Sequence, residues 1–195
     1  MKSEKIYHLV LAAVSAALIA VGAWLKIPTL YVAITLQLPI VIILGLLLGP
    51  RIAGRATLIY LLMGLLGLPV FAGGGGPQYL LQPSFGYIYG FFFAVYLAGK
   101  WLSWEPEQSL QKDWTMSLLM TGIVYLSGLL HLYLINHLVL GNALSLWQVL
   151  AIGFSKTIVK DLILNSVIVL ALKPLRRALR TLNAPYEKRR VKECA

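Results

Sequence analysis

Apolar runs of nearly membrane-spanning length recur along the whole chain, over roughly 6–25, 34–48, 52–71, 85–102, 116–140 and 149–172. A helix needs about 20 residues to cross the hydrocarbon of a bilayer, and only 34–48 is short of that. In lipid the backbone must satisfy its own hydrogen bonds, which a helix does within one segment. The pattern therefore predicts an all-α integral membrane protein with six transmembrane helices in a single domain, 1–195. Composition agrees: 59% of the 195 residues are hydrophobic and 12% charged, where a soluble domain carries about a quarter charged. A cleaved leader does not account for runs that continue to 172.

The net charge of +10 would suit a nucleic-acid binder, but the positions of the charges argue otherwise. If the six runs alternate across a membrane, one side receives Lys2, Lys5, Arg51, Arg55, Lys100, Lys112 and the basic tail, 173–195. The other side receives Lys26 alone. The positive-inside rule then places both termini in the cytoplasm, with the tail against anionic headgroups of the cell membrane. The single cysteine, Cys194, has no partner for an internal disulfide and sits too near the end for a prenylation box.

Residues 68–90, LPVFAGGGGPQYLLQPSFGYIYG, carry no charge, four consecutive glycines (Gly73, Gly74, Gly75, Gly76) and the prolines Pro77 and Pro83. Glycine permits positive φ and close backbone approach, and proline stops a helix. The stretch reads as an outer Gly-rich loop between helices 3 and 4, folded back into the protein, where irregular backbone survives when buried or lining a cavity. A plain flexible connection is the alternative. Gly75 and Gln78 in this loop are candidate ligand contacts.

Other polar positions inside the apolar runs ask for partners. Gln37, at the start of the second run, must bond either neighbouring backbone or a ligand. Tyr87 lies at the interfacial level, where tyrosine is enriched. His131 and His137 are six residues apart, share no helix face and have no carboxylate or thiol at ligand spacing, so no metal site is expected. In the first run Ala12, Ala16 and Ala20 recur every four residues, with Ala13 and Ala17 alongside. Such spacing lets helices pack closely in lipid, within the bundle or against a separate membrane partner.

The sixth run, VLAIGFSKTIVKDLILNSVIVLAL, holds Lys156, Lys160, Asp161 and Asn165. Ionisable groups inside a span are costly and by default face the protein interior or a watery cavity. Read as one helix, the run puts Lys156 and Lys160 on one face and Asp161 and Asn165 on the adjoining one. Lys160 would lie roughly 15 to 17 Å from the outer end. Two readings are open: a polar group satisfied between helices, or an outward pocket with cations for an anionic or carbonyl oxygen and an acid for N–H groups. Phosphate-loop, His-Glu-x-x-His and Gly-x-Ser-x-Gly motifs are all missing. No catalytic residue and no intrinsic cofactor are expected, so a solute-moving chain of this kind uses an ion gradient or a borrowed ATPase.

Taken together these residues resemble the BioY family, the biotin-specific S-components of energy-coupling-factor (ECF) transporters. The resemblance runs from about Ala12 to Leu175. It is carried by Val32-Ala33-Ile34-Thr35-Leu36-Gln37, by Leu46-Leu47-Leu48-Gly49-Pro50-Arg51, by the block from Tyr60 to Gly74, and by Pro83-Ser84-Phe85-Gly86-Tyr87 with Gly90-Phe91. It implies a six-helix vitamin-binding subunit with an outward-facing biotin pocket. It also implies that Ala12, Ala16 and Ala20 dock a transmembrane coupling subunit, itself joined to two cytoplasmic ATPase subunits that use ATP. The family usually has Pro-Thr-Gly-Gly-Tyr where this chain has Phe85 in place of a glycine. Its last helix commonly has Asp-x-x-Lys, where Lys160 is here preceded by Thr157. On this reading biotin would meet Lys160 through an oxygen and Asp161 or Asn165 through its urea N–H groups. An S-component for another vitamin, an intramembrane enzyme using Lys160 and Asp161, and a purely structural subunit are the rivals.

Overall fold

The computed structural model describes residues 2–28, 32–105, 109–141, 144–154 and 158–193, with side chains described for those from 6 to 178. It is built mostly of helix. Helix α1 (Lys2–Trp24) leads into a short antiparallel pair, β1 (Lys26–Ile27) and β2 (Ile34–Thr35), with Lys26 opposite Thr35. Helix α2 (Gln37–Leu65) follows, then a 3₁₀ turn (Pro77–Leu81), α3 (Phe85–Trp101), α4 (Leu110–Leu138), α5 (Leu146–Phe154) and α6 (Ile158–Glu193). Among the described residues, Ile6–Trp24, Gln37–Leu65 and Leu110–Leu138 are long and apolar enough to cross a membrane.

Helix α2 is two helices joined at a sharp break. Gly49 has φ 76° and ψ 171°, a conformation that a side chain would disfavour. Pro50 then opens the second half with a preset φ and no N–H to leave unpaired. The chain reverses here. Gln37, twelve residues before Gly49, donates from Nε2 to the hydroxyl of Tyr60, eleven residues after it, at 2.6 Å. The second and third apolar runs are thus the two arms of one helical hairpin.

The same proline leaves the carbonyl of Leu46 without its usual helical donor. Trp104 Nε1 takes it at 3.0 Å and Arg176 Nη2 at 3.1 Å. Arg176 also grips buried Asp113 with two hydrogen bonds, of 2.7 and 2.8 Å. The turn of α2, the start of α4 and the distal part of α6 are thereby fastened at one end of the bundle.

At the other end the Gly-rich stretch folds back on the protein, as the sequence suggests. Phe71 and Gly74 exchange backbone hydrogen bonds, and Gly76 N–H reaches the carbonyl of Gly64 at 2.7 Å. A side chain on Gly75 would come within 2.1 Å of the Leu68 carbonyl, so only glycine fits. The Phe71 ring is buried against Tyr60, Tyr79 and Phe85. Trp24 Nε1 and Lys26 Nζ bond the carbonyls of Pro69 and Ala72, tying the end of α1 and β1 to this stretch. Helix α3 lays Gly86 and Gly90 directly on α4 at Ser127 and Gly128, the close approach that small residues four apart allow.

Two expectations need correcting. The run 149–172 is not one helix: α5 ends at Phe154 and α6 begins at Ile158. Counting depth along a continuous helix therefore does not apply, and Lys160 and Asp161 fall in the first turn of α6. The stripe Ala12, Ala16 and Ala20 is buried against α2 rather than offered to a partner. Ala13 and Ala17 are the exposed small residues of α1, flanked by exposed Val10, Val14, Leu18 and Val21. Both stripes have the same spacing, and packing onto the α2 hairpin selects the one that is buried.

Candidate ligand-binding site

A cavity opens between the start of α2, the Gly-rich stretch, α3, α4 and the first turn of α6. Its walls include Thr35, Gln37, Tyr79, Tyr87, Tyr125, Lys160 and Asp161, with Leu38, Ile88, Phe91 and Val124 supplying apolar surface. The free space is about 60 Å³, room for a few waters at the ~10–15 Å³ that each requires.

The polar wall is built around Asp161, which is buried. Its place in the first turn of α6 suits a carboxylate, because the positive end of the helix dipole lies there. Tyr125 donates to Oδ2 at 2.7 Å. Lys160 brings Nζ to 2.8 Å from Oδ1, an ionic contact without hydrogen-bond geometry, so Oδ1 keeps an open acceptor position. Adjacent residues on a helix point in different directions, yet the long lysine stem bends round to its neighbour. Its ammonium also donates to the Thr35 carbonyl at 2.6 Å, linking α6 to β2.

Opposite this pair, Gln37 is buried and fully engaged. Thr35 Oγ1 donates to its Oε1 at 3.1 Å, its Nε2 donates to Tyr60, and the Tyr60 hydroxyl donates to the Val70 carbonyl at 3.1 Å. Tyr87 stands edge-on to Tyr125 with ring centres 5.8 Å apart and bonds the Gly153 carbonyl at 3.2 Å. The amide of Gln37, the hydroxyls of Thr35 and Ser84 and the rings of Tyr79, Tyr87 and Tyr125 thus share the wall with one ion pair, and apolar side chains make up the rest.

The structure brings Lys160, Asp161, Gln37 and Tyr87 to this cavity. Asn165 lies elsewhere: it is fully buried and donates to Thr121 Oγ1 at 2.8 Å, joining α6 to α4 one turn beyond Asp161. Gly75 and Gln78 are not on the wall either. The Gln78 amide bonds the Gly75 carbonyl at 2.7 Å at the surface. Lys156 lies outside the described residues. His131 packs against Phe85 and Tyr89 and faces the Gln82 carbonyl. His137 faces the Tyr133 carbonyl, and no metal-holding cluster occurs among the described residues. Sequence reasoning missed Tyr125 and Thr35. The signal was a tyrosine in mid-helix, whose hydroxyl needs a partner when buried.

The fold and the cavity define a helical membrane protein with a polar binding chamber walled by its helices. The chain belongs to the BioY family, whose profile matches residues 1–181. It is 35% identical over 185 residues to a probable biotin transporter of Lysinibacillus sphaericus, covering 94% of each chain. It is 37% identical over 119 residues to a biotin transporter of Thermotoga maritima, covering 60% of this chain and 69% of that one. Among solved structures, the S-component for biotin from an ECF-type ABC transporter superposes with a TM-score of 0.74 at 25% identity, over 91% of this chain and 94% of that one.

Proposed function

We propose that this chain is the substrate-binding S-component that captures biotin from outside the cell for ATP-driven import. The observation that carries the reading is the Lys160–Asp161 pair in an apolar, aromatic-walled cavity, with Oδ1 open to a donor. Biotin has a cyclic urea with two N–H donors and a carbonyl, an apolar thioether ring and a carboxylate. Asp161 Oδ1 accepts a urea N–H, and Lys160 exchanges the Thr35 carbonyl for an oxygen of the ligand. The cavity as it stands is too small for a bicyclic ring, so binding parts the β2 segment from α6. The family is one of transporter subunits, so Lys160 and Asp161 are binding groups rather than an acid–base pair for catalysis.

In the membrane the two arms of α2, together with α1, α3, α4 and the α5–α6 pair, make six crossings. Both termini are cytoplasmic. The distribution of charge supports this: Arg51 and Arg55 lie at the hairpin turn, and the cavity opens at the end carrying β2 and the Gly-rich stretch. Energy comes from ATP used by two cytoplasmic ATPases, reached through a transmembrane coupling subunit that docks on the Ala13–Ala17 face of α1. Equilibrium binding of labelled biotin to the purified protein in detergent tests the reading, with desthiobiotin and riboflavin as competitors. One-to-one binding displaced by desthiobiotin and not by riboflavin is expected. Folded protein that takes up no biotin would overturn it.

A further inference from the structure

A second and larger hollow, of about 640 Å³, lies at the turn of the α2 hairpin. It is about 18 Å along α2 from Gln37, by the helical rise per residue. Its walls include His8 of α1, Gly49, Arg51, Arg55, Trp104 and Glu105. Arg51 and Arg55 are one turn apart, so they share a helix face, and both are exposed. Among the described residues neither arginine has an ion-pair or hydrogen-bond partner. The acid on the rim, Glu105, is held by Lys112 at 3.2 Å. The hollow therefore has a histidine and two guanidinium groups that no described residue pairs. The second arm of α2 also begins here, with the positive end of its dipole toward the hollow.

We infer that this hollow is an anion site that takes a phosphate group. A guanidinium presents paired N–H donors that match phosphate oxygens, and two of them one turn apart can clasp the same group. The phosphate comes either from an anionic phospholipid headgroup, with Trp104 at the depth where indoles favour the interface, or from solution as the free ion. The site is independent of biotin capture, since none of its residues touches the other cavity.

Thermal unfolding of the full chain in detergent tests the inference. Dioleoyl phosphatidylglycerol, dioleoyl phosphatidylcholine, sodium phosphate and sodium chloride at matched ionic strength are added separately. Phosphatidylglycerol or phosphate should raise the midpoint above the phosphatidylcholine and chloride controls. Arg51→Gln/Arg55→Gln should at least halve that shift while binding biotin like the parent. Glu105→Gln, which removes the rim acid, should enlarge it. A shift with phosphatidylglycerol alone assigns the site to lipid, and an equal shift with inorganic phosphate assigns it to the free ion. If neither anion exceeds its control, or if the arginine variants respond as the parent does, the inference is overturned.

Discussion

Tyr125 gives Asp161 a 2.7 Å hydrogen bond from α4, while Lys160 approaches the other carboxylate oxygen at 2.8 Å. A buried carboxylate is costly unless paired and hydrogen-bonded, and here one helix supplies the cation and another the hydroxyl. Asp161→Asn removes the charge that holds Lys160, and truncating such a pair costs about 2–5 kcal/mol. Biotin affinity should fall by about 30-fold or more. Tyr125→Phe removes one hydrogen bond to a charged group, about 1.5 kcal/mol, and should weaken biotin about tenfold. Titration with labelled biotin reads both. Parent-like affinity in Asp161→Asn would remove Asp161 from the site.

The Asp113–Arg176 pair is structural and lies at the far end of the bundle. Arg176→Met leaves Asp113 buried without its bidentate partner, and breaking a buried pair costs about 3–5 kcal/mol. A large drop in unfolding midpoint is expected, with biotin affinity per folded molecule unchanged. Replacing both, Asp113→Leu with Arg176→Met, should recover most of the stability, because a well-packed apolar pair has no desolvation to offset. A double variant no more stable than the single one would show that the Leu46 carbonyl, left with Trp104 alone, and the other contacts of Asp113 matter more than the ion pair.

How much of this was legible in the sequence depends on which force decides each feature. Hydropathy exposed the helices, because lipid tolerates few alternatives, and the Gly49-Pro50 turn was readable from two residue types that stop a helix. Lys160 and Asp161 stood out because charge inside an apolar run needs a reason. Their contact did not, since adjacent helical residues normally diverge and the lysine stem has to bend back. Asn165 was assigned to the ligand because it falls one turn from Asp161, yet Thr121 on α4 claims it. Ala12, Ala16, Ala20 and the pair Ala13, Ala17 have identical spacing, so burial against α2 was decided by tertiary packing. The break between α5 and α6 had only weak helix formers around Gly153 as its sign.

Gly64 lies under the Phe71 ring, and a β-carbon there would meet its atoms at 2.0 to 2.4 Å. Gly64→Ala therefore pushes Phe71 against Tyr60 and Tyr79 in a packed core, an overpacking that costs about 1–3 kcal/mol. A lower unfolding midpoint is expected, and weaker biotin binding with it, because Tyr60 anchors Gln37. Adding Phe71→Leu makes room and should restore part of the stability. If Gly64→Ala unfolds like the parent, the Gly-rich stretch is not seated on α2 as described.

If the proposed coupling subunit docks on the Ala13–Ala17 face, the two alanine stripes of α1 separate folding from assembly. Ala17 is exposed while Ala16, its neighbour, is fully buried. Ala17→Trp adds bulk outside the bundle and should leave folding and biotin affinity as in the parent. It should nevertheless abolish co-purification with the transmembrane coupling subunit, since close helix approach in lipid depends on small residues. Ala16→Trp instead forces bulk between α1 and α2 and should lower the unfolding midpoint of the isolated chain. Co-expression with the coupling subunit and the ATPases, followed by affinity capture, measures the first effect; thermal unfolding measures the second. Ala17→Trp that still assembles would move the partner to another face of the bundle. Loss of biotin binding in the same variant would show that α1 packs differently around its alanines.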